Sequence, residues 1–332
     1  MPSVFPLTSN GFSARRPTAA ALERFVVAGL MVAALSACGQ PQQAFSPTSV
    51  LRRLDHRNSW MLDEAHHEDL LYVSNQQGTV YVFSYPKGRA VGVLTGFATP
   101  AGLCSDSAGD IFVVDTNASR ILEFSHAGTK PIQTLDDFGY YPWGCSIDRA
   151  SGNLAVTNIN QVPSGPGSIA IYAAARGVPT ILSDPNLVYP YLCGYDDDGD
   201  LFFSGLAASP PDEKIWEVSR GGTFTIVPIK QHFKQEAGVQ WDGRYLAIGH
   251  ISSIDRFAIN GSRVTLVGTT PLHDAKLILQ FWIEGNEVIG ADFHKGRVGL
   301  WNYPQGGDPD LTIRGLPIEL FGSTVSHARR PR

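Results

Sequence analysis

The stretch that decides the fold is Pro100-Ala-Gly-Leu-Cys-Ser-Asp106-Ser-Ala-Gly-Asp110-Ile-Phe-Val-Val114, which contains two short apolar strands joined by a turn. Pro100 begins the first strand, and Asp106 lies at the turn. The second strand recurs in the same register along the chain, at 69–75, 110–116, 153–159, 200–206, 244–250 and 287–293. A repeat at intervals of about 40–50 residues indicates an array of similar units.

Each unit contains more than this hairpin. A third strand follows every copy of the second one, as in Thr79–Tyr85 and Arg297–Tyr303, and a fourth is visible at Arg89–Gly96 and Val264–Thr270. No helical periodicity separates the units. We therefore predict an all-β fold, a six-bladed β-propeller of four-stranded antiparallel blades.

Two segments are candidates for closing the ring. Residues Pro317–Val325 resemble one more copy of the first-strand pattern, so we predict that they form the inner strand of blade 1, beside Asp69–Tyr85. The competing closure places Asn58–Glu64 there and leaves the carboxyl terminus at the periphery.

The amino terminus has the pattern of an export signal. Arg15, Arg16 and Arg24 precede an apolar run, Phe25–Leu35, that is too short to span about 30 Å of hydrocarbon as a helix. The run ends in Leu35-Ser36-Ala37-Cys38, which resembles the bacterial lipobox. This resemblance implies a lipoprotein signal peptide at 1–37 and lipid attachment at Cys38.

The remaining boundaries follow from these two patterns. We expect the lipidated Cys38 and a polar, Pro-containing tether at 38–56, the propeller at 57–327 and a short tail at 328–332. The lipid implies attachment to a membrane of the bacterial cell envelope. Gly39 stands where many inner-membrane lipoproteins carry Asp, so the outer membrane, on its periplasmic or surface face, is the expected location.

Charge and motif content exclude several function classes. With 26 basic and 31 acidic residues the formal net charge is −5, which argues against nucleic acid as a partner. The sequence contains no GxxxxGK[ST], HExxH, CxxC or GxSxG motif. We therefore expect no cofactor, and a binding protein rather than an enzyme.

The pattern P-x-G-L-x-x-D-x-x-G-[DN]-[LI]-[FY]-[VI] at Pro100–Val113 resembles the blades of NHL-repeat, gluconolactonase-like and virginiamycin-lyase-like propellers. With the lipobox, the whole chain resembles propeller lipoproteins of bacteria. In the gluconolactonase-like enzymes, metal ligands occupy the first-strand positions at the top face, which is the end of the central channel at which the first strands begin. Apolar or aromatic residues occupy them here, so no metal is expected: Ala101, Trp143, Tyr191, Ala237, Leu279 and Ile318.

The top face offers aromatic rings and a few polar side chains instead. We predict that a ligand binds there, at Trp143, Tyr191, Tyr141, Asp115, Asn158, His250 and Asp292. The aromatic residues could equally plug the channel, and the sequence leaves plug and pocket open.

The expected function is that of a monomeric envelope lipoprotein whose propeller is a binding or scaffold module for a protein, peptide or carbohydrate. The alternative is an envelope lyase or lactonase that uses the same face.

Three cysteines lie on predicted first strands. Cys145 and Cys193 share a position after Pro, whereas Cys104 lies one residue further along and is expected on the opposite strand face. A Cys145–Cys193 bridge is conceivable in an oxidising compartment, but blades seldom approach within the ~7 Å that a disulfide needs between Cα atoms. Buried free thiols are therefore the expectation.

Overall fold

The computed structural model describes residues 58–161, 165–233 and 236–329, which form a six-bladed β-propeller. The predicted signal peptide, Cys38 and the whole of the tether lie outside the described residues. No helix in the described part of the chain has the length and apolar character needed to cross a bilayer.

Blades 2 to 6 each consist of four antiparallel strands, taken in order from the channel outward. Blade 2 contains β5 (Pro100–Ser105), β6 (Ile111–Asp115), β7 (Arg120–Phe124) and β8 (Gln133–Asp136). Blade 3 contains β9 (Tyr140–Ile147), β10 (Leu154–Gln161), β11 (Ser168–Tyr172) and β12 (Thr180–Leu182). Blade 4 contains β13 (Leu187–Tyr195), β14 (Leu201–Ala208), β15 (Pro211–Val218) and β16 (Phe224–Ile226). In blades 5 and 6 the strands are β17 (Val239–Trp241), β18 (Leu246–Gly249), β19 (Ser253–Asn260) and β20 (Arg263–Pro271); and β21 (Ile278–Glu284), β22 (Glu287–Asp292), β23 (Arg297–Asn302) and β24 (Leu311–Ile313).

Blade 1 closes the ring with the two ends of the described chain. Its inner strand is β25 (Leu320–Ser326), which pairs with β2 (Leu70–Asn75) and is followed by β3 (Thr79–Ser84) and β4 (Ala90–Thr95). The predicted closure by the carboxyl-terminal segment is therefore confirmed. The competing closure is wrong, because β1 (Trp60–Met61) lies on the outer edge of β4 as a fifth strand.

The repeated Asp at the first turn has a structural role. The Oδ1 atoms of Asp106, Asp148, Asp196 and Asp242 each accept the N–H of the residue two positions later, at 2.9–3.0 Å. This local bond shapes the hairpin between the first and second strands.

A ring of glycines lets the inner strands approach one another closely. A Cβ added at Gly102 would lie 2.6 Å from the Trp143 carbonyl oxygen, and one at Gly144 would lie 2.8 Å from the Tyr191 oxygen. Equivalent contacts of 2.7–3.0 Å with the next blade's backbone oxygen occur at Gly194, Gly238 and Gly322. Any larger residue at these positions would push neighbouring blades apart.

The cores lie between the blades. Leu70, Tyr72 and Val82 of blade 1, for example, pack against Leu103 and Ile111 of blade 2, and all five side chains are fully buried. Each sheet is thus covered on both faces by its neighbours, which explains why the strands of the repeat are so apolar.

The expected free thiols at Cys104 and Cys145 are contradicted. These two residues form a disulfide between blades 2 and 3 with a Cα–Cα distance of 5.8 Å, and Cys193 is a buried free thiol. The disulfide can form because the close contact at Gly102 and Gly144 brings the two inner strands nearer than neighbouring blades usually come. Cys104 and Cys145 lie on opposite strand faces, as predicted, and these are the two faces that meet in the core between blades 2 and 3.

We predict that this bridge contributes to stability. Its cysteines are 41 residues apart, so reduction or Cys145→Ser should lower the free energy of unfolding by about 3–4 kcal/mol. Urea unfolding of a Cys38→Ser chain, with and without reductant, measures the effect. A Cys145→Ser chain should not respond to reductant. Three titratable thiols instead of one in the unfolded, unreduced Cys38→Ser chain would contradict the assignment.

Candidate functional site

The top face is the end of the propeller at which the inner strands begin. Three polar residues at this face hold the backbone that leads into those strands, and two of them, Asp115 and Asp292, are predicted from the sequence to meet a ligand. Asn75 Nδ2 donates to the Ile318 oxygen at 2.6 Å, Asp115 Oδ1 accepts the Ala98 N–H at 2.8 Å, and Asp292 Oδ2 accepts the Lys276 N–H at 2.9 Å. Each bond reaches the residue two positions before the inner strand of the same blade.

The carboxylates of Asp115 and Asp292 are fully engaged. Asp115 is completely buried, accepts the Thr99 N–H as well, and forms an ion pair with Arg120 at 2.9 Å. Asp292 also accepts two backbone N–H groups of its following turn and lies 3.7 Å from Arg297. Both therefore hold loops of the top face and present no free oxygen to it.

Asn158 is equally buried, in the interface between blades 2 and 3. Its amide donates weakly to the Ser168 hydroxyl at 3.4 Å, and its Oδ1 accepts no hydrogen bond. Tyr141 is half-buried on β9. Neither residue is part of the cavity described below.

The mouth of the channel is plugged by apolar side chains. Trp143 packs edge-on against Phe321, with ring centroids 4.9 Å apart, and Ala101, Leu192 and Leu279 complete the cluster. The predicted rim position Ile318 is wrong, because it precedes β25 and is 54 % exposed; Phe321 occupies that place in blade 1.

A cavity of about 210 Å³ lies beside the plug, between the top ends of blades 5 and 6. Its lining includes Glu236, His250, Ser252, Ser253 and Leu277. His250 stands at the position that Asp115 and Asn75 occupy in their blades, and its side chain bonds to Asp255 of its own blade.

The orientation of the His250 ring is set by a chain of hydrogen bonds. Its Nε2 lies 2.9 Å from Asp255 Oδ2, and the Thr269 hydroxyl donates to Asp255 Oδ1 at 2.6 Å. Burial acts to raise the pKa of Asp255, but these two bonds outweigh it and the pKa is lowered. The imidazole also stacks on Phe233, with centroids 5.3 Å apart. An ionised Asp255 thus fixes Nε2, and the other ring nitrogen is left for other partners.

Glu236 connects the cavity to the plug. The Trp143 indole N–H donates to Glu236 Oε2 at 3.1 Å. Burial raises the pKa of Glu236, and the bond from Trp143 offsets this only in part. Burial, with the nearby charges of Glu213 and Glu236, raises the pKa of Tyr191 to about 12. Trp143, Glu236 and His250, with Tyr191 near Glu236, are together called the Trp143 site.

Three residues around this cavity, Glu236, Asp255 and Phe233, are not among the site residues predicted from the sequence. Glu236 had a visible signal, since it stands where other inner strands begin with Pro. Asp255 and Phe233 had none, because their partnership with His250 depends on the fold. Within the described ranges, no group of three or more His, Cys, Asp and Glu side chains is placed to hold a metal ion.

We predict that Asp115 acts on stability. Asp115→Asn removes the charge that balances Arg120 and weakens the bonds to two backbone N–H groups, so the free energy of unfolding should fall by about 2–3 kcal/mol. Thermal and urea unfolding measure it. Asp308→Asn is the matched control, since that side chain is 92 % exposed and should change stability little. Equal effects of the two substitutions would show that Asp115 does not hold the loop.

Comparison with known proteins agrees with this architecture. Residues 97–124, which contain β5, β6 and β7, match the family model of the NHL repeat. No curated protein matches the sequence. Among solved structures, a chain from the crystal structure of a nidogen/laminin complex matches with a TM-score of 0.64 and 15 % identity, over 79 % of this chain and 100 % of that chain. At this identity the likeness shows the fold alone. The chain is thus an NHL-like six-bladed propeller, and this combination suggests a binding or scaffold module.

Proposed function

We propose that this protein is a lipid-anchored binding module of the bacterial cell envelope, which takes a protein, peptide or carbohydrate ligand at the Trp143 site. The observation that carries the proposal is the open cavity between Glu236 and His250, directly beside the half-buried Trp143. Small-molecule and side-chain sites in proteins are concave, largely apolar and equipped with a few convergent polar groups.

The chemistry of the site favours a ligand with both an apolar face and hydrogen-bond donors. Trp143 and Tyr191 provide rigid ring surface, which suits the faces of sugars and of aromatic or aliphatic side chains. Glu236 provides an acceptor, and the His250 ring can accept or donate. The similar propeller in the nidogen/laminin complex supports protein recognition as one use of such a fold.

The anchor rests on the lipobox at Leu35–Cys38. An extended chain from Cys38 to Trp60 would span about 70 Å, so the propeller could work at some distance from the bilayer. Several acyl chains attach a protein stably, since each buried CH₂ contributes about 0.8 kcal/mol. Gly39 favours the outer membrane as the destination. The protein is proposed to act as a monomer and without nucleic acid.

A second candidate function is an envelope lyase or lactonase at the same site. It is favoured by the Thr269–Asp255–His250 chain, which would orient a general base, and by the raised pKa of Glu236, which would suit a general acid. Turnover of a polysaccharide or lactone panel that His250→Ala and Glu236→Gln both abolish would favour the enzyme.

The anchor is tested by labelling bacterial cells that express the full chain with an alkyne fatty acid. Wild-type protein should take up label and remain with the membrane fraction, whereas Cys38→Ser should do neither. Cys193→Ala is the control and should be labelled like wild type. Label retained by Cys38→Ser would contradict attachment at this residue.

The binding site is tested on arrays of envelope glycans and synthetic peptides. Trp143→Phe keeps a ring against Phe321 but removes the N–H that holds Glu236, so affinity for any captured probe should fall about tenfold or more. Trp241→Phe, at the opposite end of the channel, is the control; it likewise removes an indole donor, to Asp197. A captured probe that both variants bind like wild type would place the site elsewhere.

A further inference from the structure

A groove of about 500 Å³ runs along the outside of the propeller between blades 2 and 3, away from the Trp143 site. One wall is formed by β8 and the residues that follow it, and the other by Gly177–Ile181. Phe138 and Val178, which both line the groove, are each 92 % exposed, and Ile181 is 38 % exposed. Apolar side chains so fully in water and grouped along one groove indicate a surface that another molecule covers.

The strand in this wall has an unpaired edge. β8 is the outermost strand of blade 2, and no other strand of the described chain pairs with its outer side. The Asp136 carbonyl accepts the Tyr172 hydroxyl at 3.1 Å, and the other N–H and C=O groups of β8 that point away from β7 are available for a further strand. Blade 1 shows how such a strand is accommodated. There, Trp60 and Met61 of β1 pair with Val93 and Gly92 on the outer edge of β4.

The groove also contains a buried carboxylate with one oxygen that accepts no hydrogen bond. Asp137, 2 % exposed, accepts the Tyr172 hydroxyl at Oδ1 at 3.2 Å, while its Oδ2 accepts no hydrogen bond. Burial raises the pKa of Asp137 to about 6, although Tyr172 and the nearby Asn158 amide act in the other direction. A buried carboxylate in this situation is costly unless a donor or cation reaches it.

The charges of the groove are of one sign. Among the described side chains that line it, Asp136 and Asp137 are acidic and none is lysine or arginine. Arg176 lies next to the groove, where its guanidinium is bonded to Gln133 Oε1 at 2.8 Å. A positively charged group on the occupant would therefore meet two carboxylates, while the guanidinium of Arg176 is engaged by Gln133.

From the free edge, the apolar walls and the uncompensated carboxylate, we propose that this groove binds an extended peptide segment of a partner protein. The segment pairs along β8 as an added strand, places apolar side chains against Phe138 and Val178, and directs a lysine or arginine side chain toward Asp137. Alternation along a strand provides both kinds of side chain. This site does not depend on the lipid anchor or on the Trp143 site.

A comparison edge is β20 of blade 5, where Leu266 and Val267 are 42 % exposed. Among the described residues, no buried carboxylate oxygen without a hydrogen bond belongs to β20. β20 thus offers a matched control surface: an exposed apolar edge without such a carboxylate.

The experiment is fluorescence anisotropy of short labelled peptides titrated with the full chain carrying Cys38→Ser. The probes are an alternating valine–lysine peptide, the same peptide with glutamate for lysine, and the valine–lysine peptide with a central proline that prevents strand pairing. The valine–lysine peptide should bind, and the glutamate and proline peptides should bind at least about tenfold more weakly.

The variants assign the binding to the groove. Phe138→Ser and Val178→Ser should each weaken the valine–lysine peptide about threefold to tenfold, and Leu266→Ser should not change it. Asp137→Asn should reduce the preference for lysine over glutamate. Both wall residues are exposed, so these substitutions should leave the fold intact.

Three results would overturn the proposal. The first is equal binding of all three peptides, and the second is no saturable binding of the valine–lysine peptide up to about 1 mM. The third is a concentration-dependent dimer in sedimentation that Phe138→Ser abolishes, since this would assign the groove to a second copy of the chain.

Discussion

The close approach of neighbouring inner strands is the constraint on which the rest of the propeller depends. At Gly102 and Gly144 the next blade's backbone oxygen lies where a Cβ would be. The channel is consequently narrow enough for a small cluster of apolar side chains to fill its top. The Ser204 hydroxyl also reaches the Ala237 oxygen of the next blade, and Cys104 reaches Cys145. Replacing one of these glycines by alanine would therefore weaken the apolar plug, the Ser204 hydrogen bond and the disulfide contact together.

The sequence predicts the fold well because every blade must satisfy the same requirements. The strand order, the six blades and the closure by the carboxyl-terminal strand all follow from the repeat. Side-chain orientation on the inner strands does not, because several of these strands contain a register shift just after their start, as between Pro100 and Leu103. Counting positions from the start of the pattern also misplaces Ile318 relative to Phe321, because Pro317 lies five residues before Gly322 whereas Pro100 lies two before Gly102.

Polar repeat residues are ambiguous for a different reason. Asn75, Asp115 and Asp292 lie at the top face of the propeller, and a sequence cannot distinguish an oxygen that meets a ligand from one that holds a loop. The loop backbone decides between these two roles, because its N–H and C=O groups that lack a backbone partner need hydrogen bonds from side chains. Nearby polar side chains satisfy this need first, and only those left over are available to a ligand.

Departures from the repeat are therefore more informative about function than the repeat itself. His250 takes the place of a loop-holding Asp, bonds to Asp255 and lines a cavity between blades 5 and 6. Glu236 stands where other blades begin with Pro and turns its carboxylate to Trp143. Neither change is needed to form a blade, since the other blades do without it. A ligand would explain why residues that the fold does not require are grouped around one opening.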